Sequence, residues 1–383
     1  MKKNHNKIYC SLLTIVFLTF IGVTSLINLL AKDQEFSEQE NRNLSGKPEF
    51  SFSSLVSGDY VKKYESYISD QFPGREFFVK LKSNINSLGG KDSSNKVFIG
   101  KNNQLLEDFE RRPDEETDEK VSAINGFADK HKNININTSL MLVPTATKIL
   151  EEYLPRYAPV DDQLNYIDDV KVKLSPTVKF IDTYDALSKS KDKYLYYRTD
   201  HHWTSNGAYI AYKELCRELA LEPRSEEEFS IELVANDFYG SLSSKIGTIE
   251  GQPDSINIYF PKPDNELVVN YVDEQKKVPT LYSSESLDKK DKYEVFTGGN
   301  HPHINIKSLA DKDKKLLVIK DSFANSMLPF LTSHYGEIDV VDLRYYMEDI
   351  EKLIESKEIT DILFLYNVNT FNEDDSILNL NME

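Results

Sequence analysis

The chain has 383 residues, of which 39% are hydrophobic and 28% charged, a balance typical of a globular protein with a substantial core. Its formal net charge of -17 opposes binding to polyanions, so nucleic acid is not an expected partner. The two cysteines are Cys10, in an N-terminal apolar segment, and Cys216. No disulfide is therefore expected within the part that follows the apolar segment, and burial alone can stabilise a domain of this size.

The apolar segment near the N-terminus is long enough to cross a bilayer. Residues 8–30 contain no charged side chain, and about 20 apolar residues span a membrane as a helix. Lysines precede this segment and acidic residues follow it, which predicts a cytoplasmic N-terminus and an extracytoplasmic remainder. We interpret residues 1–30 as a cytoplasmic tip and an uncleaved, single-pass signal anchor in the cell membrane. A cleaved signal peptide and a buried core helix remain as alternatives.

Residues 31–95 are predicted to form a helical, membrane-proximal segment. Apolar and aromatic residues recur at helical spacing from Tyr60 to about Leu88, with a break at 72–74, where the sequence is Phe-Pro-Gly. This segment leads into a main domain over residues 96–383.

The main domain alternates strand-like and helix-like segments. Strands are predicted at 97–100, 139–144, 178–182, 316–319, 338–342 and 362–366, and helices at about 114–131, 161–174, 205–219, 324–333 and 346–356. Strands joined by helices predict an α/β fold with a mainly parallel sheet that is covered on both faces. Between about 225 and 313, short β-prone pieces separated by turn-forming residues predict a β-rich insertion on the edge or top of this sheet.

The motif Asp200-His201-His202-Trp203 concentrates a carboxylate, two imidazoles and the single tryptophan of the chain. Asp200 and His202 can lie close together in an extended or turn backbone, because alternate side chains then project to one side. Such a pair can activate a serine nucleophile, since the carboxylate fixes the tautomer of the imidazole. Two alternatives remain: a surface loop beside a structural tryptophan, and a metal site completed in space by the histidines of residues 300–303.

Ser322 is the candidate nucleophile for this pair. It follows a predicted strand and precedes a predicted helix, and functional sites in open α/β sheets form where strands end. The backbone N–H of Ser322 would lie at the start of that helix, where unpaired N–H groups can form an oxyanion hole. The alternative is that Ser322 or Asp321 only caps the helix.

The two motifs together resemble the DHHW family, extracytoplasmic relatives of the alginate O-acetylation proteins whose fold is similar to that of SGNH hydrolases. Further segments that carry the resemblance are residues 36–38, 40–42, 98–101, 143–145, 153–155, 298–300, 321–323, 329–330 and 342–344. The resemblance implies a three-layer α/β/α catalytic domain with Ser322 as nucleophile, His202 as general base and acid, and Asp200 as orienting carboxylate. Lys320 departs from the family pattern, which has glycine at this position.

Four other residues are candidates for supporting roles. Trp203 is expected to shape the wall of the site, and His201 to pack or hydrogen-bond behind it. Arg344 and Asn367, at predicted strand ends, are auxiliary or substrate-binding candidates. Arg344 can equally form an ion pair with a neighbouring carboxylate, Asp342 or Glu348.

The resemblance implies an O-acetyltransferase that moves an acetyl group through a serine acyl-enzyme to hydroxyls of a cell-wall or extracellular polysaccharide. Acetyl-CoA is not available outside the cytoplasm, so the resemblance implies a membrane-bound O-acyltransferase as the acetyl donor. Neither a cofactor nor a metal is expected. One alternative is an SGNH-type carbohydrate esterase, in which water replaces the sugar. Another is a non-catalytic carbohydrate-binding protein of the cell envelope that uses some of its 22 Tyr and 20 Phe for stacking.

Overall fold

The computed structural model describes residues 2–34, 36–37, 42–75, 77–79, 81, 93–132, 136–247, 252–262 and 266–381. They belong to two compact units, Met1–Lys91 and Asp92–Glu383. The predicted helical stretch between residue 81 and about 88, and the motif residues Glu38, Glu40 and Asn41, lie outside the described residues.

The first unit begins with the long apolar helix α1 (Lys2–Leu30). Its stretch Tyr9–Asn28 has 20 residues, a mean hydropathy of 2.3 and no buried residue, so it meets the length and polarity that a membrane span needs. A signal sequence at the N-terminus meets the same requirements.

Among the described residues, the rest of the first unit contains a short β-pair and two short helices, followed by helical residues at 75, 77–79 and 81. Strand β1 (Phe36–Ser37) pairs antiparallel with β2 (Arg42–Asn43), and α2 (Phe52–Ser57) is followed by α3 (Asp59–Asp70). Gly58 separates the two helices at a φ of 85°, a conformation that glycine adopts without steric cost. The Tyr67 hydroxyl of α3 donates a hydrogen bond to Asp33 at 3.0 Å, which ties α3 to the chain just after α1.

The described part of the second unit contains thirteen strands, which are numbered on from the first unit. They are β3 (Ser93–Ser94), β4 (Val97–Ile99), β5 (Leu105–Glu107), β6 (Asn137–Val143), β7 (Val178–Ile181), β8 (Phe229–Phe238), β9 (Asp254–Pro261), β10 (Val268–Tyr271), β11 (Lys276–Val278), β12 (His303–Lys307), β13 (Lys315–Lys320), β14 (Glu337–Val341) and β15 (Asp361–Asn367). The helices are α4 (Asp114–His131), α5 (Ala146–Ile149), α6 (Gln163–Lys173), α7 (Tyr184–Lys189), α8 (Ser205–Glu218), α9 (Ser241–Ile246), α10 (Leu328–Leu331), α11 (Ile350–Lys357) and α12 (Val368–Glu373).

Eight of these strands form one large sheet in the order β11-β10-β12-β14-β13-β15-β6-β7. The five strands from β14 to β7 are parallel, whereas β12, β10 and β11 continue the sheet in antiparallel pairs. The predicted α/β fold with a large, mainly parallel sheet is therefore confirmed at this level. Part of the predicted β-rich insertion extends the same sheet at one edge, while β8 and β9 pair separately.

The sheet is buried on both faces. Along β13, Leu316 and Val318 belong to one apolar cluster, which includes residues of α8, and Leu317 and Ile319 belong to another, which includes residues of α4 and α6. Burial on both sides explains why this strand is a continuous apolar run rather than an alternating one. The apolar run ends at Ile319, and the polar residues Lys320 and Asp321 follow it at the end of β13.

The segment after β13 differs from the single helix predicted at 324–333. A short 3-10 helix covers Ser322–Ser326, and α10 starts separately at Leu328. Pro329 explains the break, because proline has no backbone N–H and fits only the first turn of a helix.

Candidate active site

The side chains of Ser322, His202 and Asp200 form one continuous chain of hydrogen bonds. Ser322 Oγ lies 2.7 Å from His202 Nε2, and His202 Nδ1 lies 2.5 Å from Asp200 Oδ1. An imidazole with its proton on Nδ1 donates to the carboxylate and accepts the Ser322 hydroxyl proton at Nε2. The arrangement has the order of nucleophile, base and orienting carboxylate that acyl transfer requires.

A tight turn brings Asp200 and His202 together. Asp200 Oδ1 also accepts the backbone N–H of His202 at 3.0 Å, and Oδ2 accepts the backbone N–H of Ser241 at 2.7 Å. Burial alone would raise the pKa of Asp200, but the two histidines of the motif and these N–H donors hold that pKa well below its usual range. The carboxylate is therefore ionised and faces Nδ1 of the imidazole.

A second buried carboxylate, Asp254, fixes the backbone just before this turn. It accepts the backbone N–H groups of Arg198 and Thr199, each at 2.8 Å, and the Thr199 hydroxyl at 2.6 Å. The Tyr194 hydroxyl donates to the same carboxylate at 2.5 Å. Because a loop with so many partners on one carboxylate has little freedom, Asp254 restricts where Asp200 can lie.

Asp321, which directly follows β13, holds the segment that carries Ser322. The carboxylate of Asp321 accepts the backbone N–H of Phe323 at 2.9 Å, and it accepts the backbone and side-chain N–H groups of Asn367 at 2.8 and 2.6 Å. Ser322 starts the 3-10 helix, so its own N–H belongs to the donors that have no partner within the helix. That N–H remains the candidate oxyanion donor, although a five-residue helix has a smaller dipole than the helix predicted from the sequence.

Trp203, Arg344 and Asn367 each form hydrogen bonds with other groups of the protein. Trp203 has no exposed surface, and its indole N–H donates to the Phe323 carbonyl at 2.9 Å, so it supports the Ser322 loop from beneath and does not form an open wall. Arg344 donates to both oxygens of Asp342, at 2.8 and 2.6 Å, the ion pair given above as its alternative. The Asn367 amide is engaged by Asp321.

His201 lies beside the base, as expected of a residue behind the site. Its Nδ1 is 2.6 Å from Ser241 Oγ, and its ring centroid is 3.8 Å from that of His202. His301 and His303, the further ligands of the metal alternative, are each hydrogen-bonded to a carboxylate elsewhere, at 2.6 and 2.7 Å, whereas the possible ligand atoms of Asp200, His201 and His202 lie within 4.8 Å of one another.

Lys320, at the position where the resemblance implies glycine, directs its ammonium group to Asn300 and Asp342. Its side chain is buried, and its ammonium group lies 2.9 Å from Asn300 Oδ1 and 3.5 Å from Asp342 Oδ2. Burial lowers the pKa of Lys320 to about 8, although the Asp342 carboxylate opposes this shift.

Besides Ser241, Tyr293 and Gly240 are residues that the sequence did not suggest and that contact the proposed triad directly. The ring of Tyr293 stacks on His202 with centroids 3.6 Å apart and planes 7° apart, and its hydroxyl donates to the Ser322 carbonyl at 3.0 Å. Gly240 touches Asp200 so closely that an added methyl group would lie 2.2 Å from the Asp200 Cβ. Gly240 lies just before α9 and Tyr293 on a four-residue 3-10 helix, and neither position belongs to a periodic pattern that would mark a functional residue.

Comparison with known proteins places this site in a family. Residues 107–341 match the family model described as DHHW protein, which is more than half of the chain. The chain belongs to the DHHW family. The proposed triad residues lie within the matched range, and the resemblance inferred from the motifs is confirmed.

The DHHW chain is similar to one curated relative and to several solved structures. It is 25% identical over 174 residues to the probable alginate O-acetylase AlgJ of Pseudomonas fluorescens, which is 43% of this chain and 44% of that protein. A DHHW family protein of Eubacterium siraeum has a TM-score of 0.66 and 23% identity, over 76% of this chain and 96% of the other. PatB1 of Bacillus cereus, solved with a sulfonyl adduct, has a TM-score of 0.63 and 21% identity over 73% and 97%. The two structures establish a shared fold.

Proposed function

We propose that this DHHW protein is an extracytoplasmic O-acetyltransferase that transfers an acetyl group through Ser322 to a hydroxyl of a polysaccharide. The observation that carries the proposal is the hydrogen-bonded chain from Ser322 Oγ through His202 to Asp200, with distances of 2.7 and 2.5 Å. Family membership and the similarity to a probable alginate O-acetylase support acetyl transfer as the reaction. The close approach of the three side chains favours an enzyme over a carbohydrate-binding protein without catalysis.

The first half-reaction forms an acetyl-serine. Ser322 Oγ attacks the carbonyl carbon of an acetyl ester while its proton passes to His202 Nε2, and Asp200 stabilises the resulting imidazolium. The Ser322 backbone N–H faces the developing oxyanion. Collapse of the tetrahedral intermediate breaks the bond to the donor oxygen, which takes the proton from His202 and leaves as an alcohol.

The second half-reaction uses the same groups in reverse. A sugar hydroxyl gives its proton to His202 Nε2 as its oxygen attacks the acetyl carbon, and Ser322 Oγ regains a proton when the acyl bond breaks. In this proposal α1 holds the chain in the membrane with the site outside the cytoplasm. A membrane-bound O-acyltransferase would supply the acetyl group to that site.

His202 is suited to this role at neutral pH. Burial, with a smaller contribution from the neighbouring His201, lowers the pKa of His202 to about 4, although the Asp200 carboxylate opposes both effects. The imidazole is therefore neutral before the reaction and free to accept the serine proton. Tyr293 stays protonated, because burial raises its pKa well above the usual range, so its hydroxyl remains a donor to the Ser322 carbonyl.

Replacement of the nucleophile tests this proposal. The full-length protein in detergent should gain the mass of one acetyl group on Ser322 when it is mixed with p-nitrophenyl acetate, and Ser322→Ala should not. In cells, the same substitution should remove polysaccharide acetylation, which is measured as acetate released by mild alkali. Unchanged acetyl content in cells that produce normal amounts of the variant would refute the proposed function.

The choice between sugar and water as acceptor needs a separate measurement. The acetylated protein is mixed with oligosaccharides, and the amounts of acetylated sugar and free acetate are compared. A transferase gives acetyl-sugar at the expense of acetate, whereas acetate release that no oligosaccharide reduces would favour the esterase.

A further inference from the structure

The proposed triad receives a contact from a part of the chain that does not supply any of its members. Tyr293 lies on the short 3-10 helix Lys292–Val295, within the segment 225–313 that the sequence predicts to be an insertion. Its side chain is almost completely buried and belongs to an apolar cluster with Phe238, Ile258 and Phe296. That cluster leaves the Tyr293 ring little freedom to move.

Tyr293 contacts both the base and the nucleophile. Its ring lies parallel to the His202 imidazole, with centroids 3.6 Å apart, while its hydroxyl donates to the carbonyl of Ser322 at 3.0 Å. The imidazole can turn about its Cβ–Cγ bond, and such a turn would separate Nε2 from Ser322 Oγ. A flat ring stacked on the imidazole opposes that turn, and the phenol holds the serine backbone at the same time.

We propose that Tyr293 is a positioning residue that keeps His202 aligned with Ser322, so that the segment 225–313 completes the active site. The inference rests on the proposed acyl transfer at Ser322. It assigns two separable roles to one side chain: stacking of the ring aligns the base, and the hydroxyl fixes the nucleophile backbone.

Two substitutions separate these roles. Tyr293→Phe keeps the ring and removes the hydroxyl, with its contacts to the Ser322 carbonyl at 3.0 Å and Ser326 Oγ at 3.3 Å, so acylation by p-nitrophenyl acetate should slow by about 10-fold or less. Tyr293→Leu removes the stacked ring as well, and a misplacement of the base should slow acylation by about 100-fold. If stacking aligns the base, acylation must be faster in Tyr293→Phe than in Tyr293→Leu.

Tyr282 provides a matched control in the same segment. It packs against the same apolar cluster, and its hydroxyl donates to a backbone carbonyl, that of Tyr259, at 2.7 Å. Tyr282→Phe and Tyr282→Leu should therefore disturb the segment to a similar extent, measured as a change in melting temperature, and should leave acylation within about twofold of the wild type. An equal loss of acylation in Tyr282→Leu and Tyr293→Leu would overturn the proposal.

A spectroscopic measurement makes the test independent of turnover. The His202 Nδ1–H, in a short hydrogen bond to Asp200, should give a low-field proton resonance in wild type and Tyr293→Phe that is lost in Tyr293→Leu. An unaltered resonance in Tyr293→Leu, with acylation within twofold of wild type, would refute the positioning role. If the wild type shows the resonance but no acylation, the proposed function fails, and the change of the resonance in the variants still decides the role of Tyr293.

Discussion

At the scale of single residues, the site depends on the side chains that contact the base, His202. Asp200 accepts the ring and backbone N–H groups of His202, which fixes both the tautomer and the orientation of the imidazole. Burial then lowers the pKa of the His202 imidazole. A neutral imidazole is needed for the first proton transfer, so the pH dependence of acylation should report the pKa of His202 in the folded protein.

The acid limb of the acylation rate should lie well below that of an ordinary histidine. Burial lowers the pKa of His202 to about 4, so the neutral base persists as the pH falls and is lost only around that value. At pH 5.5 the rate constant should stay near its plateau, whereas an imidazole with a pKa of about 6.5 would retain about a tenth. Stopped-flow measurement with p-nitrophenyl acetate, corrected with Ser322→Ala, gives the profile. A midpoint at or above 6.5 would contradict the role of burial.

At the scale of elements, the buried strands could be predicted from the sequence and the irregular segments could not. The predicted strand at 362–366 is β15 (Asp361–Asn367), because an apolar run buried on both faces has no other stable location. The proximity of Asp200 and His202 followed from their spacing. Tyr293 and Gly240 did not follow from any pattern, because their contacts arise where distant, non-repetitive segments fold over the triad.

The packing of Gly240 against Asp200 predicts a sharp effect of one methyl group. Gly240 precedes α9, whose first backbone N–H, that of Ser241, binds Asp200. In Gly240→Ala the new methyl group would lie 2.3 Å from Asp200 Oδ2, so either the carboxylate or the start of α9 must move. Misplacement of this carboxylate should reduce the acylation rate by about 100-fold.

Gly126 is the matched control for this substitution. It lies within α4, and an added methyl group would meet no atom within 4 Å. Gly126→Ala should leave acylation unchanged and raise the stability by up to about 1 kcal/mol, since alanine favours the helix. Acylation by Gly240→Ala at the wild-type rate would show that Asp200 tolerates displacement.

At the scale of the whole molecule, the two compact units have separate tasks in the proposed mechanism. The second unit contains every residue of the proposed site, and the first begins with the apolar helix α1. An acyl transfer that draws on a membrane-bound donor gains from a catalytic unit tethered to the same membrane, because tethering raises the effective concentration of the two partners. As the predicted anchor, α1 is thus part of the proposed mechanism as well as of the predicted localisation.

Fractionation of cells tests the anchor. Because Tyr9–Asn28 is apolar enough to span a bilayer, the full-length chain should remain with the membranes in alkaline carbonate and dissolve only in detergent. A protease added to protoplasts or spheroplasts, in which the cell membrane is intact and accessible, should digest the second unit. Replacement of Lys2, Lys3 and Lys7 by glutamate should reduce this outward orientation, since the positive charges hold the N-terminus in the cytoplasm. A soluble product that begins after residue 30 would instead establish cleavage, and the acetyl donor would then have to reach an untethered enzyme.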